Sequence, residues 1–379
     1  AFLFSRGFIK TGLGKRIAYN LIAAFGSSSL RLAYALALSD LILAPATPSN
    51  TARVGGVIMP ITTSLAKAFG SEPQNGPRKI GSFLMQSIYQ VNTITSAMFQ
   101  TSMAGNTLVA ALALQSFGIG ITWGDWAMAA IVPGIIALII MPYFIYKAYP
   151  PEIKDAREAQ HMIREELKGL GKMSFQEWVM LGVFILALVL WATSQFTHLD
   201  ATTVAFLGIS ILLATGVLIW DDVKSEKGAW DTLVWMGTLM GFAGFLSKLG
   251  FIKWATELVG GYIPEGSWII AFVIAVLVNT YSHYVFASLT AHISAMFVAF
   301  SAIAISAGAP PMLTLLMIAF TSNLCMSLTH YAAGPSPVIF NTGYVPQNTW
   351  WKLGFFSSVI NLIIFMGLGS IWMKAIGMW

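Results

Sequence analysis

Long uninterrupted apolar runs are the feature that most constrains this chain. Four of them, each about 20 residues long, lie at 126–146, 175–196, 204–220 and 355–373. As a helix, each run is long enough to cross a hydrocarbon core of about 30 Å. Only 10% of the 379 residues are charged, against roughly 25% in a soluble protein. The sequence therefore predicts an all-α polytopic membrane protein.

The rest of the composition excludes several functions. Cys325 is the single cysteine, so a disulfide framework is excluded, and no Cys/His cluster has zinc-site spacing. The net charge of +5 lies at loop ends between apolar spans, which is typical of a membrane protein rather than of a nucleic-acid partner. A GxxxxGK[ST] phosphate-binding loop is absent, so ATP-driven transport would need another subunit. These observations favour a secondary transporter.

Several predicted membrane segments are too short to span a bilayer and lie beside Pro, Gly, Ser or Asn. Irregular backbone at membrane depth is tolerated only where it is buried in protein or lines a watery cavity. The predicted segments are 27–48, 51–69, 80–104, 106–119, 126–147, 175–197, 200–220, 231–249, 266–284, 285–306, 311–331, 334–343 and 352–376.

The strongly charged stretch at 150–174 separates two groups of these segments. Its flanking lysines and arginines predict a cytoplasmic location. Ile153, Ile163 and Leu167 at helical spacing indicate an amphipathic helix on the membrane surface, with a solvated linker helix as the alternative. The opening stretch at 1–26 begins inside an apolar run, and we expect it to be the remainder of truncated scaffold helices.

Two pairs of polar interruptions occupy matching positions in the two halves of the chain. The break at 48–51 is followed by one at 102–106, and the break at 281–284 by one at 333–337. The separations nearly agree, since 106 − 49 = 57 and 336 − 282 = 54. Paired breaks of this kind indicate an inverted-repeat transporter with its binding site near the midplane. A chance pairing is the alternative.

A helix that begins inside the membrane presents unpaired N–H groups and the positive end of its dipole, which favours an anion. Ser49 is a suitable N-cap, and Asn50 and Thr51 add neutral donors. The alternative is that they only cap a kinked helix. Arg53 needs an anionic partner at this depth, and Asp40 or the substrate are the two candidates.

Three histidines lie at or near the second pair of breaks. His283 and His292 are nine residues apart, a spacing that does not place two rings on adjacent turns of one helix face, so a metal pair is not expected. We expect His283 to hydrogen-bond a carboxylate, or else to be packed between helices. A membrane enzyme using Asp40, His283 or His330 is disfavoured, because no activated nucleophile accompanies them. A channel or a structural membrane protein is disfavoured by the paired breaks.

Four ordered motifs carry a family resemblance that covers nearly the whole chain. They are SNTARVGGVIMPI from Ser49, SMAGNTLVAALA from Ser102, YSHYVFASLTAHISAMF from Tyr281 and HYAAGPSPVIFNTGYV from His330. In these motifs the chain resembles the divalent anion:sodium symporter family, and within it the branch of bacterial and plastid di- and tricarboxylate exchangers. The resemblance implies scaffold and transport domains, two re-entrant hairpins, membrane lipid as surroundings, a homodimer and small carboxylate anions as substrates.

The resemblance also implies the substrate-binding residues. The first tip matches the family's Ser-Asn-Thr, whereas His283 and Tyr284 stand where sodium-coupled members have Asn and Thr. The residues so implied are Ser49, Asn50, Thr51, Ser282, His283, Tyr284, Gly105, Asn106, Pro335 and Ser336. A possible Na⁺ site lies near Ser49, Asn50 and Gly105, and no other cofactor is expected.

The change at the second tip bears on ion coupling, because imidazole is a poor substitute for an Asn oxygen as a Na⁺ ligand. We therefore expect anion exchange, with His283 supplying positive charge, and keep a sodium-coupled symporter as the alternative. A bacterial inner membrane is expected, with the plastid inner envelope as the alternative. The predicted organisation is scaffold at 1–26, transport domain at 27–149, connecting helix at 150–174, scaffold at 175–265 and transport domain at 266–379.

Overall fold

The protein folds into helices joined by short turns. The computed structural model describes residues 2–197, 199–250, 254 and 268–379, and the only β interactions in these ranges are two isolated bridges. The α-helices in chain order are α1 Phe2–Thr11, α2 Leu13–Phe25, α3 Ser29–Leu43, α4 Asn50–Arg53, α5 Met59–Ala68, α6 Gly81–Met98, α7 Ala104–Phe117, α8 Trp123–Ala148, α9 Arg157–Gly169, α10 Phe175–Ala192, α11 Ser194–Thr197, α12 Ala201–Ala214, α13 Trp220–Ser225, α14 Lys227–Lys248, α15 Trp268–Ser282, α16 Leu289–Ser306, α17 Pro311–Leu324, α18 Pro335–Phe340, α19 Gln347–Leu362 and α20 Ser370–Ala375.

The predicted all-α membrane architecture is confirmed. In the described part of the chain, seven helices are long and apolar enough to cross a membrane. Most predicted segments coincide with observed helices to within a few residues. Residues 251–253 and 255–267, which belong to the predicted scaffold and to the start of the predicted segment 266–284, lie outside the described residues.

Polar caps set where two of the long apolar helices begin. At the start of α8, Thr122 Oγ1 accepts a hydrogen bond from Asp125 N at 3.1 Å, and Asp125 Oδ2 accepts one from Thr122 N at 3.0 Å. Ser174 and Glu177 form the same reciprocal arrangement at the start of α10. Each capping box satisfies two N–H groups that have no partner inside the helix.

The first hairpin break lies at its predicted place, and the second lies at 286–288, just after the predicted 281–284. The first follows α3, where the 3₁₀ turn Ala44–Ala46 leads into an irregular segment before α4 begins at Asn50. The second follows α15, where the 3₁₀ turn His283–Val285 leads into an irregular segment before α16 begins at Leu289. The chain is therefore non-helical at both places, as expected for hairpin tips.

The helix after the first break contains a wide turn. The π-helical segment Val54–Ile58 joins α4 to α5, so that the backbone stays helical from Asn50 to Ala68. Buried positions recur in pairs every four residues along it, at 53 and 54, 57 and 58, 61 and 62, and 65 and 66. A second π-helical segment, Ile363–Gly369, joins α19 to α20.

The charged stretch between the halves forms α9, as predicted. Ala159 and Ile163 are buried, and Gln160 Nε2 donates a hydrogen bond to the Ala23 carbonyl at the end of α2 at 2.8 Å. The apolar side of α9 is therefore packed against protein. Its cytoplasmic location stays a prediction.

The predicted scaffold segments contact one another. The rings of Phe8 on α1 and Phe184 on α10 meet edge to face at 5.2 Å. Phe4 packs so closely on Gly208 of α12 that an added Cβ there would overlap the ring. Helix α6 is buried along its whole length between α3, α8 and α17. The division of the chain into scaffold and transport domains stays a prediction.

A buried ion pair between α2 and α10 generates a stability prediction. Arg16 Nε lies 2.5 Å from Glu177 Oε1, and the guanidinium also donates to the Gly171 and Leu170 carbonyls. We expect Arg16→Gln to lower the free energy of unfolding by about 3–5 kcal/mol, because Glu177 is left without its charged partner. Denaturant unfolding in detergent micelles measures the loss.

The matched control is Lys168→Gln, which breaks the exposed Lys168–Glu165 pair. We expect it to change the free energy of unfolding by no more than about 0.5 kcal/mol. Equal effects of the two substitutions would contradict the structural role given to Arg16.

Candidate functional site

Two hairpin tips and two further helix starts enclose a cavity of about 190 Å³. Its lining comes from four short stretches, each at or just before a helix N-terminus, together with Phe2. The lining residues are Phe2, Pro48, Ser49, Asn50, Thr51, Met103, Ala104, Ala287, Ser288, Leu289, Thr290, Ala333 and Gly334. A water molecule occupies about 30 Å³ in the liquid, so the cavity has room for an anion of a few carbon atoms.

The first tip is built as the sequence predicted. Ser49 has extended backbone and caps the helix, with its Oγ accepting a hydrogen bond from Ala52 N at 3.1 Å. Asn50 Oδ1 accepts one from Thr51 N at 2.9 Å. Ser49 and Thr51 are half-buried at the cavity wall, whereas the side chain of Asn50 is more deeply buried.

The second tip repeats this geometry. Ser288 has extended backbone and caps α16, with its Oγ accepting a hydrogen bond from Ala291 N at 3.3 Å. Thr290 lies two residues after Ser288, as Thr51 lies two residues after Ser49. Both threonines line the cavity. The residues that face the first tip are thus Ser288, Leu289 and Thr290.

The structure places the three residues predicted for the second tip outside the cavity lining. The helical backbone continues through Val285, so Ser282 still lies inside the first arm of the hairpin and donates to the Asn279 carbonyl at 2.9 Å. The buried His283 ring pairs its Nε2 with the Ala332 carbonyl at 2.9 Å. The Tyr284 carbonyl accepts a hydrogen bond from Tyr331 OH.

A sequence signal for the observed second tip exists. The pattern Ser-x-Thr-Ala occurs at Ser49 as SNTA and at Ser288 as SLTA. The prediction aligned Ser282 of YSHY with Ser49, which displaced the predicted tip by 288 − 282 = 6 residues. The offset between the repeats is 288 − 49 = 239 residues.

The two helix starts opposite the tips hold the remaining predicted residues just behind the wall. Asn106 is fully buried, and its Nδ2 donates to the Ser96 carbonyl at 2.8 Å. Ser336 Oγ lies 2.8 Å from Tyr89 OH. Gly105 and Pro335 are also buried beside them, while Met103, Ala104, Ala333 and Gly334 line the cavity itself. Substrate binding by any of the ten predicted residues stays a prediction.

Glycines let these backbone segments approach each other. A Cβ at Gly334 would overlap the side chain of Thr51, and one at Gly105 would lie 2.6 Å from Ile293 Cδ1. The first contact joins the last helix start to the first tip, and the second joins the first repeat to α16. Larger residues at either glycine would push the segments around the cavity apart.

Arg53 is fully buried one turn behind the first tip and is paired with Asp40 at 3.0 Å. Of the two partners that the sequence left open for Arg53, Asp40 and the substrate, the structure shows Asp40. The guanidinium also donates to the carbonyls of Thr47 at 2.8 Å and Ser102 at 3.0 Å. Asp40 in turn accepts hydrogen bonds from Asn92 Nδ2 and from the Thr95 hydroxyl.

The second repeat carries neutral side chains at the equivalent positions. With the offset of 239 residues, Arg53 corresponds to His292 and Asp40 to Asn279. His292 is fully buried, with Nε2 lying 3.1 Å from Ser282 Oγ, and Asn279 Nδ2 donates to Ser322 Oγ at 3.2 Å. The second repeat therefore has no Arg–Asp pair at the positions equivalent to Arg53 and Asp40.

None of the described residues that line the cavity carries a charged side chain. Three of the helices that start at it are long: α7, α16 and the continuous helix from Asn50 to Ala68. Each such N-terminus is equivalent to roughly half a positive elementary charge. The positive ends of these helices and the hydroxyls of Ser49, Thr51, Ser288 and Thr290 are suited to carboxylate oxygens.

Paired broken hairpins whose helix starts meet at a cavity inside a polytopic bundle define a membrane transporter built from repeats. The chain belongs to the family described as the sodium:sulfate symporter transmembrane region, whose model matches residues 1–379, and this is the predicted divalent anion:sodium symporter family. It is an integral membrane transporter and not an enzyme.

Curated relatives agree with this assignment. The chain is 51% identical to a protein named putative malate transporter YflS of Bacillus subtilis, over all of this chain and 80% of the relative. It is 47% identical to dicarboxylate transporter 1, chloroplastic, of Spinacia oleracea, over all of this chain and 67% of the relative. Inner membrane protein YbhI of Escherichia coli is 41% identical, over all of this chain and 80% of that protein.

Two solved structures share the fold. Neisseria gonorrhoeae MtrF, described as illuminating a class of antimetabolite efflux pumps, has a TM-score of 0.63 at 12% identity, over 98% of this chain and 80% of that one. The Alcanivorax borkumensis YdaH transporter has a TM-score of 0.57 at 12% identity, over all of this chain and 85% of that one.

The buried Arg53 network generates the next prediction. We expect Arg53→Lys to lower the free energy of unfolding by about 1–3 kcal/mol, because a lysine cannot bond Asp40 and both carbonyls together and leaves a buried acceptor unsatisfied. The matched control is Arg31→Lys on α3, where the exposed guanidinium bonds only Ser27 Oγ among the described residues. Denaturant unfolding of both variants in micelles tests this, and equal stability would contradict a central role for Arg53.

Proposed function

We propose that the protein exchanges small di- and tricarboxylate anions across the membrane. The observation that carries the proposal is the uncharged cavity at which three long helix N-termini and the hydroxyls of Ser49, Thr51, Ser288 and Thr290 meet. Relatives at 47–51% identity that are named malate and dicarboxylate transporters support the substrate class.

The two tips suit a substrate with a carboxylate at each end. Each tip offers a capping serine, a threonine two residues later and the positive end of a helix dipole. Hydrogen bonds to a charged group contribute roughly 1.5–3 kcal/mol each, more than bonds between neutral groups. A dianion that bridges Ser49 and Ser288 would use both sets of donors at once.

Sodium-independent exchange is favoured by the position of Arg53. Its guanidinium occupies the carbonyls of Thr47, beside the first tip, and of Ser102, beside the opposite turn. Backbone carbonyls are the hard oxygen ligands that a sodium ion would need near the predicted site at Ser49, Asn50 and Gly105. Because these two carbonyls are already hydrogen-bonded to Arg53, they are not free to coordinate a sodium ion at that site.

The second repeat bears on the same coupling. His283, expected to supply positive charge at the second tip, is buried against the Ala332 carbonyl, and its role stays a prediction. His292 is the residue at the position equivalent to Arg53. A sodium-coupled symporter remains the second candidate, because the matching family is described as a sodium:sulfate symporter region.

The proposed surroundings are membrane lipid and a second copy of the chain. Ile185 and Val189 on α10, Phe206 on α12, and Leu233 and Val234 on α14 are each more than half exposed. Side chains of this kind on apolar helices are suited to lipid or to a like surface. A homodimer and a bacterial inner membrane stay predictions.

Serine substitutions test the substrate site. We expect Ser49→Ala and Ser288→Ala each to weaken carboxylate binding about tenfold or more, because each removes a hydroxyl from the cavity wall. The matched control is Ser306→Ala at the exposed end of α16, whose hydroxyl bonds only the Ile303 carbonyl among the described residues. Ligand-induced thermal stabilisation and counterflow in proteoliposomes measure the change.

The same assay compares the observed and the predicted second tip. Ser282 donates to a carbonyl inside its own helix, so we expect Ser282→Ala to affect carboxylate affinity less than Ser288→Ala does. The reverse order would show that the substrate contacts the first arm rather than the capped start of α16.

Ion coupling is tested by counterflow in sodium-free buffer. We expect the wild-type protein to exchange one carboxylate for another at an unchanged rate when Na⁺ is replaced by a large organic cation, because the Thr47 and Ser102 carbonyls near the possible Na⁺ site are already hydrogen-bonded to Arg53. Exchange that begins only after Na⁺ is added would identify a symporter. That result would contradict the proposed coupling but not the proposed carboxylate site.

A further inference from the structure

His283, His292 and Cys325 form a buried cluster outside the residues that line the substrate cavity. One potential ligand atom from each lies within 4.8 Å of the others, and all three residues have no exposed surface. The centroids of the two imidazole rings are 4.8 Å apart. The hairpin break between them brings the rings together, since His283 lies in the 3₁₀ turn before the break and His292 lies in α16 after it.

Hydrogen bonds orient both rings. His283 Nε2 points at the Ala332 carbonyl, which can only accept, so this nitrogen carries the proton. His292 Nε2 faces Ser282 Oγ, whose own hydrogen is donated to the Asn279 carbonyl, so Oγ accepts from the ring. Both rings are thereby left with an Nδ1 lone pair, and neither Nδ1 has a hydrogen-bond partner in the described part of the chain.

Neither lone pair is used by another group in the described part of the chain, so both are available to a ligand. In a metal-binding histidine, one ring nitrogen binds the metal and the other donates its N–H to an acceptor. Both rings have this arrangement, with Nε2 as the donor to an oxygen atom. Cys325 adds a sulfur that bonds only the Ser322 carbonyl among the described residues, at 3.3 Å. The donor set of two nitrogens and one sulfur is soft, which favours Cu⁺ or Zn²⁺ over Na⁺, Mg²⁺ or Ca²⁺.

We propose that His283, His292 and Cys325 bind a single soft d¹⁰ cation inside the second hairpin. The two Nδ1 lone pairs and the Cys325 sulfur are the ligands, and the thiol proton is released to solvent when the metal–sulfur bond forms. Cu⁺ is the better match in charge, because with one thiolate and two neutral imidazoles it leaves no net charge in a dry site.

The location gives such a cation a mechanical effect. It would join the 3₁₀ turn after α15 to α16 and to the 3₁₀ turn Cys325–Leu328 after α17. His292 lies one turn beyond Ser288, so the bound ion would hold the two arms of the second hairpin together just behind the cavity. The proposal does not depend on which anion the cavity takes.

Metal titration of the purified chain tests the site. Cu⁺, Zn²⁺ and the spectroscopic probe Co²⁺ are added separately to protein in detergent, and bound metal is counted after gel filtration. We expect one Cu⁺ or Zn²⁺ per chain and, with Co²⁺, a sulfur-to-metal charge-transfer band. Cys325 is the only thiol in the sequence, so that band has a single possible source.

Two variants and a control complete the test. Cys325→Ser and His292→Gln should each abolish the band and weaken metal binding about tenfold or more, whereas His161→Gln on the exposed face of α9 should leave both unchanged. Thermal unfolding without metal shows that each variant is folded. Wild-type protein that binds neither Cu⁺ nor Zn²⁺, or binding that survives in folded Cys325→Ser and His292→Gln, would overturn the proposal.

Discussion

The buried guanidinium of Arg53 is the interaction on which the first half of the structure depends. An unpaired cation at this depth would be costly, and the chain offsets that cost with the Asp40 carboxylate and with hydroxyl and carbonyl acceptors from three other segments. Because these acceptors come from the first tip, the opposite turn and α6, the same contacts that stabilise the charge also position the capped start of α4.

The two repeats support their hairpin tips with different side chains. Each presents a capped helix start and a second helix start to one cavity, and each has a polar cluster one turn behind its tip. The first cluster is charged and paired, whereas the second is neutral and has two ring nitrogens without a hydrogen-bond partner among the residues that the structure describes. An inverted-repeat fold thus constrains the backbone closely and leaves the supporting side chains free to diverge.

Much of the fold and part of the site could be predicted from the sequence. Apolar runs and capping residues located most helices, and the rule that a buried cation needs a partner pointed to Asp40 for Arg53. The second tip was misplaced because a serine in a polar tetrapeptide indicates a break but does not show where the next helix begins. The backbone conformation sets that point, and the cap is Ser288. The proximity of His283 and His292 was missed because helical spacing was assumed across a break that reverses the chain.

The wide turn Val54–Ile58 limits how this chain can change in length. Inward positions repeat every four residues from the tip to the end of α5, whereas an ordinary α-helix repeats every 3.6. The π turn absorbs the difference in phase, so Arg53 and the buried side chains of α5 face the same interior. Loss of one residue here would rotate the tip by about 100° relative to the arm and turn the guanidinium away from Asp40. A single-residue deletion in this arm therefore requires a compensating insertion within the same few turns if Arg53 is to keep facing Asp40.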